Sequence, residues 1–363
     1  MKILKFKISI DWVLVIVPIL LAIASVATLY SITSISGKSS LAIDQITYFV
    51  AAIVVYVIFM AFDYRILKSY SWYLYLLGLI LLVAVVFFGQ TILGSKRWID
   101  LGFTQFQPSE LVKFILLIFS ANFITSRKEI SVRQFVVFLA LVAIPIILVM
   151  LQPDLGTALS ITALLVGVIA VSKIPKKFFL PLLVLFIIAA PIGWMNLKPY
   201  QKQRIETFMN PSSDPLGAGY NVLQSRIAVG SGGLYGKGFG QTTQSQLQFL
   251  PIAYIDFIFS GWAEATGFLG SVALVGAYSI LVWRIFVIAG QSRDDFGLAV
   301  ASGIGAVILF QSLVNIGMNV GLLPVTGIPL PLVSYGGTSV VVNAAFLGIV
   351  QSIYLRKKAL KFD

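Results

Sequence analysis

Residues 72–92 read WYLYLLGLILLVAVVFFGQTI and contain no charged side chain. An α-helix of about 20 residues crosses the roughly 30 Å hydrocarbon layer of a bilayer, so this run predicts a membrane-spanning helix. The run is too long for the alternating strand of a barrel, and backbone amides in lipid must find their hydrogen-bond partners within the protein. This stretch therefore indicates a helical membrane protein.

The same pattern recurs along the whole chain. Its 363 residues are 58% hydrophobic and only 11% charged, a composition that excludes a soluble multidomain protein. We expect an all-α polytopic membrane protein with a single integral membrane domain over residues 1–363. About ten helices are predicted, near residues 11–33, 45–62, 72–92, 109–126, 133–151, 155–172, 177–195, 256–289, 297–321 and 337–355.

The net charge of +12 could suggest a nucleic-acid partner, but the basic residues lie at helix ends. With a cytoplasmic N-terminus, the cytoplasmic segments hold the basic clusters within 2–7, 65–68, 127–133, 173–177, 284–293 and 356–361. Outside the one long loop, the opposite side carries only Lys38, Lys96 and Arg97. The positive-inside rule then predicts both termini in the cytoplasm, with membrane lipids rather than nucleic acid as surroundings.

The chain has no cysteine and no histidine. Disulfides, histidine zinc sites, Ser-His-Asp triads and histidine proton relays are therefore excluded. Any chemistry must be carried by aspartate, glutamate, lysine and arginine.

The one long loop, about residues 196–255, is extracellular in this topology and connects predicted helices 7 and 8. It leads into residues 249–267, FLPIAYIDFIFSGWAEATG, which place Asp256 at the junction of loop and helix. An ionisable group in a membrane costs roughly 2.5 to 3.5 kcal/mol on insertion scales, so Asp256 is a functional-site hypothesis. Glu264 lies two turns further along, and we expect it to pair inside the bundle.

Two polar turns on the same side carry further charges. Glu110 opens a helix and can complement its dipole, but Lys113 follows at the i,i+3 spacing that puts both on one face. The pair could therefore equally line a cavity and receive a lipid phosphate. Asp154 is either an ordinary helix N-terminal charge or a second acidic lining group. Lys96 and Arg97 lie in the segment before Glu110.

The long loop also contains a glycine-rich segment, residues 230–240, that fits neither the Walker pattern nor G-x-G-x-x-G. It forms either tight turns or a cradle of backbone amides for a phosphate or sugar. The Pro/Gly-rich turn, residues 323–339, is irregular backbone that is tolerated at membrane depth only where it lines a cavity. We therefore expect it to lie near Asp256.

Several motifs together resemble the SEDS family of bacterial cell-wall polymerases, most closely its RodA-type members, over nearly the whole chain. The Gly-Ile-Pro-Leu-Pro motif is similar to the elongation-type rather than the division-type branch. The chain departs from the family at Tyr254-Ile255, where His-Thr is usual, and within 264–267. The motifs are Arg97-Trp98, QPSELVK (107–113), QPDLGT (152–157), GSGGL (230–234), DFIF (256–259), GIPLP (327–331) and SYGG (334–337).

The resemblance implies a peptidoglycan glycosyltransferase that polymerises lipid II into glycan strands at the outer face of the bacterial cytoplasmic membrane. Asp256 would be the general base that takes a proton from the attacking sugar hydroxyl. A single in-line displacement assisted by this one base would invert the anomeric configuration. The family also implies a partner, a class B penicillin-binding protein with transpeptidase activity. The predicted substrate-binding residues are Lys113, Glu110, Asp154, Lys96, Arg97, Arg204 and Ser334.

Three further hypotheses stay open at this level. Asp256 and Glu110 could hold a divalent cation, and their oxygen ligands would suit magnesium or manganese. One alternative function is a flippase or transporter of lipid II, because buried charges and broken helices also mark transport pathways. Another is a scaffold that recruits wall enzymes, in which the carboxylates would be incidental. Polar groups gathered at one membrane face, and no evident inverted repeat, favour the polymerase.

Overall fold

The computed structural model describes residues 10–34, 40–92, 95–100, 102, 104–127, 129–172, 199–211, 214–215, 217, 219–247, 249–250 and 253–357. The predicted helix at 177–195 lies outside these residues, so the predicted count of ten helices is not tested there. The twelve helices of the described part are α1 Val13–Thr33, α2 Ser40–Ala61, α3 Tyr64–Phe88, α4 Pro108–Thr125, α5 Val132–Leu151, α6 Leu155–Ala170, α7 Pro199–Met209, α8 Tyr220–Ser231, α9 Thr243–Gln246, α10 Ile258–Gly290, α11 Asp295–Asn319 and α12 Gly337–Leu355.

Eight of these helices are long and apolar enough to cross a membrane: α1 to α5 and α10 to α12. The fold class, an all-α polytopic membrane protein, is confirmed. Helix α6 is shorter, with 16 residues, and packs chiefly against α11 and α4. Small residues bring α6 and α11 close, since a Cβ on Gly167 would stand 2.5 Å from that of Ala306.

The third helix differs from its predicted range. It begins at Tyr64, after Asp63 accepts a capping hydrogen bond from the Arg65 amide, and it ends at Phe88. The last predicted residues instead enter a small antiparallel sheet, which the apolar pattern did not predict. Its three strands are β1 Gln90–Ile92, β2 Ser95–Asp100 and β3 Gln105–Phe106, in the order β1-β2-β3.

The predicted helix at 256–289 also differs. Helix α10 begins at Ile258, so Asp256 lies in the turn before it, and Gly267 breaks the helix with φ 69° and ψ −161°. The described part of the long loop is largely helical, because α7, α8 and α9 all fall within it.

One end of the bundle collects the polar turns, and we call it the site end. Chain direction brings to it the N-terminal ends of α2, α4, α6, α10 and α12 and the C-terminal ends of α1, α3, α5 and α11. A Cβ on Gly156, near the start of α6, would stand 3.0 Å from Ile328 in the Pro/Gly-rich turn. The first turn of α6 therefore packs directly on that turn.

Candidate active site

Asp256 is held in place by its backbone and faces a cavity with its side chain. Its main-chain carbonyl accepts hydrogen bonds of 3.0 Å from the side-chain amides of Asn315 and Asn319. The cavity has a volume of about 290 Å³. Arg204 from α7 and Asn221 from α8 line it together with Asp256, so the long loop forms one wall of the site.

The Pro/Gly-rich turn forms another part of the lining. Leu323, Pro324 and Val325 border the same cavity, and a Cβ on Gly327 would stand 3.8 Å from Oδ2 of Asp256. Gly327 has φ 71°, a backbone conformation that favours glycine. The structure therefore agrees with the expectation that this turn approaches Asp256.

Asp256 has a perturbed proton affinity. Burial raises the pKa of its carboxyl, Arg97 and Arg204 lower that pKa, and Asp154 raises it, with a net upward shift. An upward shift favours a general base near neutral pH, since proton transfer is most effective when the pKa of the base approaches the working pH. The two arginines also give the site a positive field.

Asp154 caps α6, in agreement with the interpretation as a helix N-terminal charge, and it is also the partner of Arg97; it does not line the cavity beside Asp256. Its Oδ1 accepts from the Thr157 amide at 3.2 Å and pairs with Nη1 of Arg97 at 3.2 Å. Its Oδ2 accepts from Ser109 Oγ at 3.1 Å and from Gln107 Nε2 at 2.9 Å. Both oxygens of this buried carboxylate are thus engaged, and Asp154 fixes Arg97.

Arg97 keeps one donor unused. Its guanidinium lies 4.2 Å from the centroid of the Trp98 ring, and its buried Nε has no acceptor among the described residues. A buried donor without an acceptor is costly. An anionic oxygen of a bound substrate would satisfy it.

Glu110 and Lys113 form a buried ion pair. Nζ of Lys113 lies 2.7 Å from Oε2 of Glu110, and the two side chains are 1% and 3% exposed. Neither residue lines the cavity beside Asp256. Their predicted contact with substrate stays a prediction. In the structure, the ammonium group of Lys113 is paired with the carboxylate of Glu110.

Lys96 and Ser334 form hydrogen bonds with backbone groups, and neither lines the cavity. Nζ of Lys96 donates to the Val86 carbonyl at 2.6 Å. The Ser334 hydroxyl donates to the Ile255 carbonyl at 2.6 Å and accepts from the Leu330 amide at 2.8 Å. Ser334 thus ties the Pro/Gly-rich turn to the residue before Asp256. A role in positioning fits this geometry better than the predicted contact with substrate.

The hypothesised divalent cation at Asp256 and Glu110 stays a prediction. The described residues contain no group of three or more His, Cys, Asp or Glu side chains that could hold a metal ion. Glu110, one of the two hypothesised ligands, is already paired with Lys113. We therefore assign no step to a metal.

The glycine-rich segment, residues 230–240, forms tight turns against the break in α10. The Lys237 amide donates to the Glu264 carbonyl at 3.0 Å, and the Gly238 amide donates to the Ala265 carbonyl at 2.9 Å. These amides are used within the protein, which favours the tight-turn interpretation over a phosphate cradle.

Glu264 is paired within the protein, but its partners belong to the long loop and not to the bundle helices as predicted. Its buried carboxylate accepts from Nζ of Lys237 at 2.9 Å and from the amides of Thr243, Gln244 and Ser245 at 2.9, 2.9 and 3.1 Å. It therefore fixes α9 and the glycine-rich segment onto α10.

Asn315 and Asn319 were not among the site residues predicted from the sequence. The signal that could have identified them is their i,i+4 spacing in an apolar helix, which puts two amides on one face. Their acceptors could not be read from the sequence, because they belong to distant segments.

Comparison with known proteins decides the family. A family model described as "Cell cycle protein" and named FTSW_RODA_SPOVE matches residues 7–359. The chain belongs to this family. The resemblance to RodA-type SEDS proteins is confirmed by the peptidoglycan glycosyltransferase MrdB of Escherichia coli (strain K12), which is 38% identical over 359 residues, 98% of this chain and 96% of the relative.

Two solved structures agree with this assignment to the FtsW/RodA/SpoVE family. One, described as "Structural coordination of polymerization and crosslinking by a peptidoglycan synthase complex", has a TM-score of 0.81 at 30% identity and covers 95% of this chain and 98% of that chain. The rod shape determining protein RodA of Thermus thermophilus has a TM-score of 0.72 at 29% identity, covering 96% and 97%.

Proposed function

We propose that the protein is a peptidoglycan glycosyltransferase that polymerises lipid II into glycan strands. The environment of Asp256 carries the proposal. Its side chain faces a cavity at the site end, burial raises the pKa of its carboxyl, and Arg97 and Arg204 lower that pKa. Relatives that span nearly the whole chain are named peptidoglycan glycosyltransferases, which supports the reaction class.

In the proposed reaction, the Asp256 carboxylate accepts the proton of the attacking sugar hydroxyl. The hydroxyl oxygen forms the new bond to the anomeric carbon as the bond to the lipid pyrophosphate breaks. Arg97 and Arg204 stabilise the negative charge that develops on the leaving pyrophosphate. The unused Nε donor of Arg97 is available for one of its oxygens.

The carboxylate chemistry supports inversion. Retaining transfer needs a second carboxylate as nucleophile close to the first. Asp154 is the other carboxylate that acts on Asp256, and its two oxygens already accept from Thr157, Arg97, Ser109 and Gln107. A single displacement with Asp256 as base would invert the anomeric centre.

The proposal includes an orientation and a partner. The basic residues of 65–68 and of 356–357 lie at the end opposite the site end, so the positive-inside rule puts that end and both termini in the cytoplasm of a bacterium. The site end then faces outward. We also propose a class B penicillin-binding protein as partner, supported by similarity to a complex that coordinates polymerisation with crosslinking.

An assay in which the purified protein and its partner are incubated with lipid II distinguishes a polymerase from a flippase by the products formed. We expect glycan strands and released lipid pyrophosphate. Movement of lipid II across proteoliposome membranes without any glycan would favour the flippase.

The divalent cation remains a prediction from the sequence alone. Loss of polymerisation on exhaustive chelation, restored by magnesium or manganese, would support it.

A further inference from the structure

Helix α11 ends with two buried amide side chains. Asn315 and Asn319 lie one turn apart, and both are 0% exposed. A buried amide is costly unless its donors and acceptor are hydrogen-bonded. Both are bonded here, and their partners lie in separate segments that meet at Asp256.

Both amides donate to the same carbonyl. Nδ2 of Asn315 lies 3.0 Å from the Asp256 carbonyl oxygen and 2.8 Å from that of Ile328. Nδ2 of Asn319 lies 3.0 Å from the Asp256 carbonyl oxygen and 2.8 Å from the Asn315 carbonyl. Two donors fill both acceptor positions of the Asp256 carbonyl.

Asn319 extends the network to the wall of the cavity. Its Oδ1 accepts from the amide and hydroxyl of Ser260 at 3.1 and 2.6 Å. Ser225 of α8 lies 2.6 Å from Ser260 Oγ and donates to the Asn319 carbonyl at 2.8 Å. Helix α8 also supplies Asn221 to the cavity lining. One helix end thus fixes the Asp256 turn, the first turn of α10 and a cavity wall together.

We infer that Asn315 and Asn319 are positioning residues for transfer: acting through the main-chain carbonyl of Asp256, they aim its carboxylate at the attacking hydroxyl. Both bond the main-chain carbonyl of Asp256 rather than its carboxylate, and neither lines the cavity. The inference rests on the proposed function of Asp256. A displacement of about 1 Å of a catalytic group can cost about 100-fold in rate, so loss of these amides should act on turnover.

The test compares Asn315→Leu and Asn319→Leu with Asn343→Leu in the full chain and its partner. Asn343 is a matched control because it is also buried, at 2% exposure, but donates within its own helix to Ser339. We expect kcat to fall about 10- to 100-fold in the first two variants, with KM for lipid II within about twofold of the native value and the control near native. Asn315→Asp keeps the shape of the side chain but replaces the amide donor by an acceptor, so its kcat should fall by an equal factor.

A second measurement does not depend on polymerisation. The rate at which a water-soluble carbodiimide modifies Asp256, read by mass spectrometry, should change several-fold in Asn315→Leu and Asn319→Leu and not in Asn343→Leu. If both asparagine variants match the control in kcat and in this rate, the inference is overturned. If native protein forms no glycan, the proposed function fails, and the modification rates still decide whether the asparagines position Asp256.

Discussion

At the scale of a single residue, Arg97 opposes the effect of burial on the Asp256 carboxyl. Its guanidinium lowers a pKa that burial has raised, and the base must be deprotonated to act. Polymerisation should therefore fall as pH drops through the raised pKa. In Arg97→Gln the pKa rises further, so the acid limb of the rate–pH profile should move to higher pH and the maximum rate should fall.

Lys96→Gln provides the control for that profile. Lys96 is next in the chain and carries the same charge, but its Nζ bonds the Val86 carbonyl. We expect its acid limb to coincide with that of native protein. An unshifted limb in Arg97→Gln, measured by lipid II polymerisation over a pH series, would contradict the electrostatic account of the site.

Glu264 is a structural charge rather than a catalytic one. Gln in its place turns one acceptor oxygen into a donor that faces the donors of Lys237, Thr243, Gln244 or Ser245. Glu264→Gln should lose about 2 kcal/mol of stability, seen as a lower Tm and faster proteolysis within 237–246. Glu206→Gln, an exposed glutamate of the same loop, should leave both unchanged.

The break in α10 is the element that receives the glycine-rich segment. Gly267 has φ 69°, and a Cβ there would stand 2.3 Å from the Gly236 nitrogen. Gly267→Ala should therefore lower Tm and polymerisation by detaching the segment, at a cost above about 1 kcal/mol. Gly276→Ala is the matched change in the same helix.

A methyl group added at Gly276 would meet no atom within 4 Å, and the backbone φ there is not positive. Alanine has the higher helix propensity by about 1 kcal/mol, so Gly276→Ala should leave Tm equal or higher. Equal effects of the two substitutions on Tm would show that the break has no special role.

Helix positions could be predicted from apolar runs, but helix ends could not always be. Residues 72–92 identified α3, yet its start at Tyr64 depends on the cap from Asp63 and its end on pairing of β1 with β2. The break at Gly267 was missed because its reason is the packing of residues 233–236 against it. Such contacts between distant segments leave no periodicity in the sequence.

Orientation belongs to the scale of the whole molecule. The chain has no native cysteine, so single cysteines can report each side of the membrane. Asp100→Cys, at the site end, should react with an impermeant maleimide in intact cells. Arg65→Cys, at the opposite end, should react only after permeabilisation. The reverse labelling pattern would contradict the outward-facing site.

The candidate site was predictable in its charges and less so in its contacts. Asp256 was identified from the cost of charge in a membrane, Arg97 and Asp154 lie in the motifs, and Arg204 was among the predicted substrate-binding residues. Their side chains act on one another in the structure. The pairing of Glu110 with Lys113 followed from their spacing, but its separation from the cavity did not. The spacing of residues along a helix determines which side chains share a face, whereas the group that this face contacts depends on tertiary packing.

The central claim is that Asp256 is the base for glycan transfer. The most direct test is the rate of lipid II polymerisation by Asp256→Asn, with the exposed Asp100→Asn as control, both purified with the partner and checked for native Tm. Because an amide cannot accept the proton, we predict a loss of at least about 100-fold in Asp256→Asn and native rates in the control. Polymerisation by Asp256→Asn at the native rate would contradict the account.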